Sequence, residues 1–182
     1  MTRFWLNVSL SAALSLSAQA ASADVYYSKD EAFELAFGKG ATVDAMPVFM
    51  TDEQVAEAER IAKVKLDSKL FTFHVGKRGD EVLGYAAIES HNVRTQPETA
   101  LIVLNPKGEL VRTEILAFHE PPEYKPPARW FERLNGRSID DLVLGQGIDG
   151  IAGATLSSRA ALDSVRKVMA IYRITSKGES GE

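Results

Sequence analysis

Apolar residues recur along this chain at two different spacings, and the change between them divides it into helical and extended parts. After Ser28, the residues Phe33, Leu35, Ala36 and Phe37 form an apolar side that stops at Gly38 and Gly40. Ser28 with Glu31 three positions on has the form of a capping box, so a helix is predicted there. Thr51 and Gln54 repeat the signal ahead of Val55, Ala58, Ile61 and Ala62, a second helical stripe. From Leu70 to His91 the period becomes two, broken at Arg78-Gly79-Asp80. That predicts a hairpin. Residues 99–118 predict another, turning at Asn105-Pro106-Lys107-Gly108.

Four prolines between Pro121 and Pro127 exclude helix and strand, so this stretch is an extended loop. A short helix with Trp130, Phe131 and Leu134 should end near Asn135-Gly136, with a brief helical or irregular piece over 138–147. A last helix follows, with Leu162, Val165, Val168, Met169 and Tyr172 on one side and Ser157 or Ser158 as its expected cap. The fold class is therefore α+β. An antiparallel sheet of consecutive hairpins is flanked by helices in one domain over 24–182, and a C-terminal helix follows a small-residue loop.

The first residues change the picture of where this domain works. Arg3, a mostly apolar run from Phe4 to Leu16, and the small-residue patterns Ala18-Gln19-Ala20 and Ala21-Ser22-Ala23 have the layout of a secretory leader over 1–23. Cleavage after Ala23 or Ala20 would release an exported, periplasmic-type protein. The 182-residue chain has a formal net charge of −4, which argues against nucleic acid as a partner. With no cysteine, the chain excludes disulfides, c-type haem attachment, cysteine-ligated clusters and thiol catalysis. His74, His91 and His119 are widely separated and show no metal-ligand spacing, so they are expected as surface or strand residues. Asp140 and Asp141 are adjacent, point apart, and are expected as solvated surface.

One stretch remains, Asp149-Gly150-Ile151-Ala152-Gly153-Ala154-Thr155-Leu156-Ser157. Small residues running into a helix start leave unpaired backbone N–H groups accessible, a geometry suited to a phosphate. The spelling resembles the flavinylation motif of the FMN-binding domain family, which includes subunits of the sodium-pumping NADH:quinone oxidoreductase and of Rnf-type electron transport complexes. Gly84-Tyr85, Glu120-Pro121 and the aromatic segment from Trp130-Phe131 to Gly136 follow the family order, so the resemblance is strongest over 81–172. Ala152 departs from it, because many members have Ser or Thr there. The missing hydroxyl removes one hydrogen bond worth about 0.5–1.5 kcal/mol.

The resemblance implies FMN held covalently through a phosphoester to Thr155, with Gly153, Ala154, Leu156, Ser157 and Asp149 around the attachment point. Glu120 and Pro121 would belong to a wall for the flavin ring. It also implies a separate Mg²⁺-dependent flavin transferase as maturation partner. No His or Lys adjoins Thr155, and Arg159 cannot serve as a base, so an external enzyme suits the residues better than self-attachment. The expected role is electron relay between redox proteins, possible partners being a membrane electron-transport complex or a haem protein. Two other roles fit the same residues: non-covalent FMN binding in a sensory module, and a flavin component of a small-acceptor reductase.

Overall fold

Two capping boxes open the first two helices. Glu31 Oε2 accepts the Ser28 amide at 2.8 Å while Ser28 Oγ accepts the Glu31 amide at 3.3 Å, which starts α1 (Lys29–Phe37). Thr51 and Gln54 exchange the same pair at 2.9 and 3.2 Å and start α2 (Asp52–Ala62). Lys63 closes α2 in the left-handed region, φ 56°. The structure is a computed structural model that describes residues 24–176; the expected leader, 1–23, lies outside the described residues.

Among the described residues the six strands are β1 (Asp24–Val25), β2 (Thr42–Phe49), β3 (Leu70–Arg78), β4 (Glu81–Asn92), β5 (Pro97–Leu104) and β6 (Leu110–Phe118). They form one antiparallel sheet in the order β1-β6-β5-β4-β3-β2. The two expected hairpins are β3–β4 and β5–β6. The strands β1 and β2 are additional. Pro47 within β2 argues against a strand in the sequence, but β2 is an edge, where a missing backbone donor is tolerated.

Alternation divides the sheet into two apolar faces. Phe73, Ala87, Ala100, Ile102 and Leu104 lie on the side of α2, α3 (Ala128–Glu132) and α4 (Thr155–Thr175). Ala86, Leu101, Val103 and Leu116 lie on the side of α1, with Ala32 and Phe37. Phe37 lies flat on β3 because Gly76 has no side chain, and its ring occupies the space a Cβ would take.

Contacts along α4 set its direction. The Tyr172 ring lies 4.8 Å from that of Tyr85, Lys167 pairs with Glu89, and Ser164 Oγ meets His91 Nδ1 at 2.9 Å. His91 Nε2 in turn faces the fully buried Glu98 at 3.2 Å. Residue numbers rise along β4 as they fall along α4, so the helix runs antiparallel to that strand. Thr155 is nine residues before Ser164, about 13 Å of helix. The start of α4 thus projects toward the end of the sheet that holds the β4–β5 turn.

Candidate functional site

The segment leading into α4 is held by α3 and the residues after it. Trp130 Nε1 donates to the Asp149 carbonyl at 2.8 Å, so the buried indole serves as a clamp on this loop. Arg133 lies 3.5 Å from the Asp149 carboxylate, and Arg137 Nη2 donates to Gly147 O at 3.1 Å. Short bonds then turn the chain into the helix: Ala154 N to Ile151 O at 3.0 Å and Thr155 Oγ1 to Ile151 O at 3.1 Å. Gly153 takes φ +85°, a conformation that glycine adopts without the steric cost of a side chain.

The expected serine cap is not what forms. Helix α4 begins at Thr155, with Ala154 in the cap position and no side-chain cap. Ser158 Oγ instead bonds back to Ala154 O at 2.9 Å. Ser157 is buried, and its Oγ has no hydrogen-bond partner among the described residues. The helix therefore starts three or four residues earlier than the serines suggested, because the Gly153 turn already aims the chain along the helix axis. Among the described residues no side chain accepts from the first-turn amides, which leaves these donors and a partial positive charge at the helix start. Thr155 and Leu156 are exposed there.

Asp149, Gly153, Ala154, Thr155, Leu156 and Ser157 form one loop–helix junction. Glu120 and Pro121 follow β6 at the same end of the sheet, and the 3-10 turn at Pro122–Tyr124 packs against α4. The Glu120 carboxylate, however, is turned to the β4–β5 connection. Its Oε1 accepts the amides of Thr95 (2.7 Å), Gln96 (3.0 Å) and Arg94 (3.1 Å). The Thr95 amide first, then those of Gln96 and Arg94, hold its carboxyl below the usual carboxylate range. Its charge shapes a turn.

Residues to which the sequence reading gave no cofactor-binding role complete the surroundings of α4. Arg166 is buried and donates to four carbonyls: Ala62 O at 2.7 Å, Ile61 O at 3.1 Å, Leu142 O at 2.7 Å and Ile139 O at 3.2 Å. It joins the end of α2 to the 3-10 turn at Ile139–Asp141. Arg159 and Lys63 border a cleft between these elements. Its α4 residues recur at helical spacing from Thr155, a signal present in the sequence. Asp163 also lines it, its carboxyl pushed up by burial, against the lowering effect of Arg166, Arg159 and His91.

A flavin phosphate fits what is present. The uncapped amides, the glycine turn and the unpartnered Ser157 hydroxyl supply donors, and no acidic side chain occupies the helix start. Fold and junction define a small α+β protein whose last helix begins at backbone amides that no side chain caps. The family model of the FMN-binding domain matches residues 95–170, from the turn before β5 through most of α4. Over that stretch the chain is similar to the FMN-binding domain family, and the match supports FMN binding. No curated protein and no solved structure matched the chain.

Proposed function

We propose that the protein is an exported electron carrier with FMN esterified to Thr155, relaying electrons between redox partner proteins. What supports this reading is the position of Thr155. It is the first residue of a 21-residue helix, exposed, and beside amides that no side chain caps. Its hydroxyl is committed only to Ile151 O. In the maturation step, Thr155 Oγ1 forms the bond to phosphorus as the pyrophosphate linkage of FAD breaks. AMP leaves, and the hydroxyl proton passes to solvent. A separate flavin transferase with Mg²⁺ supplies the activation that neighbouring residues lack.

The resulting diester has one negative charge, which the helix start stabilises by about 0.3–1 kcal/mol. Esterification removes the Thr155 donor, and with it the bond to Ile151 O, worth about 0.5–1.5 kcal/mol. The two terms are comparable, so attachment leaves the fold nearly as stable as before. The bound flavin supplies reversible electron uptake, and the chain supplies its anchor and surroundings. Export through a cleaved leader, residues 1–23, belongs to this reading, and a tether would free the site from any need for free FMN outside the cytoplasm.

The test is an intact-mass spectrum of the protein exported from a host with the transferase, beside Thr155→Ala. The expected result is a gain of one FMN less one water in the wild type and none in the variant. Equal, unmodified masses, with the transferase active on a control substrate, would refute covalent attachment.

A further inference from the structure

The cleft between α4, the end of α2 and residues 142–144 has a volume of about 250 Å³. Thr155, Arg159, Leu162 and Arg166 recur at intervals of four, three and four, so they share one face of α4. At 1.5 Å per residue, the α4 residues of the cleft lie about 6–17 Å along the axis from Thr155. That is a span for a ribityl tether and a fused three-ring system. Across from this face are Leu142, Val143, Leu144 and Lys63. The cleft thus combines an aliphatic surface with cations at its border.

Charge distinguishes this cleft from an ordinary groove. The Arg166 guanidinium is spent on four carbonyls. Arg159 and Lys63 form no ion pair with the described residues, and Lys63 stands at the C-terminal end of α2. Asp163 is the one acid among the lining residues, against three cations. An isoalloxazine ring is apolar on its faces. Taking up two electrons from a redox partner protein and one proton from water leaves it with one net negative charge. A cation beside that charge stabilises the reduced form over the oxidised one.

We propose that this cleft seats the isoalloxazine ring of the flavin tethered at Thr155, with Arg159 and Lys63 raising its potential by opposing the charge of the reduced ring. This rests on the Thr155 reading. The Glu120 carboxylate, turned to the amides of 94–96, plays no part in the seat.

The experiment uses the full chain exported with the transferase, its FMN content established by intact mass. Midpoint potential and flavin fluorescence anisotropy are then measured for wild type, Arg159→Gln, Lys63→Gln, the double variant and Val143→Trp. Each loss of a cation should shift the potential to more negative values, the double variant furthest, with the shift shrinking as salt is added. Val143→Trp fills the cleft and should lower the anisotropy as the ring is displaced. Lys39→Gln, beyond the end of α1 on the other face of the sheet, should behave as wild type. Lys63 is remote from the attachment motif, so its variant keeps the test readable if a change at Arg159 disturbs loading. Fully loaded Lys63→Gln and Val143→Trp with wild-type potential and anisotropy would overturn the seat and leave attachment at Thr155 standing. A wild type without FMN mass would overturn both.

Discussion

Replacing Arg166 tests whether one buried cation holds the helical layer together. Its guanidinium donates four hydrogen bonds of 2.7–3.2 Å, two to the last turn of α2 and two to the segment Ile139–Leu142. Among the described residues no carboxylate shares a hydrogen bond with it, so carbonyl dipoles at a helix C-terminus compensate its charge. Hydrogen bonds to a charged group contribute about 1.5–3 kcal/mol each in favourable cases. Four of them do not add fully, because the exposed end of α2 regains water once the side chain is gone. Removing one partner from a buried charged network costs about 3–5 kcal/mol.

Arg166→Met keeps the aliphatic stem and should lose about 3 kcal/mol, with Arg166→Ala nearer 5. For a domain of this size, that lowers Tm by roughly 6–20 °C. Arg166→Lys offers three donors from one point and should fall between wild type and Met. Urea unfolding followed by circular dichroism at constant m measures the loss. Hydrogen exchange should quicken first at residues 139–144 and at the end of α2. A loss below about 1 kcal/mol in Arg166→Met would refute the idea that these bonds join the two elements.

Other changes test separate parts of the molecule. His74 lies 4.7 Å from the Phe33 ring, and burial first, then Lys29, holds its pKa below the usual 6.5. The unfolded chain binds the proton more readily, so this contribution is present above about pH 6.5 and declines as pH falls toward the folded value. His74→Leu should flatten the fall in urea midpoint between pH 7.5 and 5.5; an unchanged slope would count against it. Glu120 has a lowered folded pKa, so its contribution is present above pH 4.5 and is lost as pH falls through the folded value. Glu120→Ala strips three amides of their acceptor and should cost about 2–4 kcal/mol, with faster exchange at 94–96; Glu120→Gln should cost less. Gly76→Ala places a methyl group in the Phe37 ring and should destabilise by about 1–3 kcal/mol, measured by thermal melting, with partial recovery in Phe37→Leu.

Local chemistry in the sequence accounts for much of the framework. Both capping boxes, both hairpins, the proline segment and the last helix are readable, because each depends on residues within a few positions of one another. The Gly-Ala-Thr junction is readable for the same reason. The features it missed depend on distance along the chain. Strand β2 exists because β3 lends it a ladder, which outweighs the discouragement from Pro47. Glu120 serves a turn 24 to 26 residues before it, a destination that no local pattern encodes. The Ser157 and Ser158 hydroxyls looked like caps, but the Gly153 turn starts the helix ahead of them. Sequence alone determined most of the helices and strands, because their signals are local. Tertiary structure decided which groups remain available for a ligand, because burial and long-range hydrogen bonds commit Trp130, Glu120 and Arg166 elsewhere while Thr155 stays exposed.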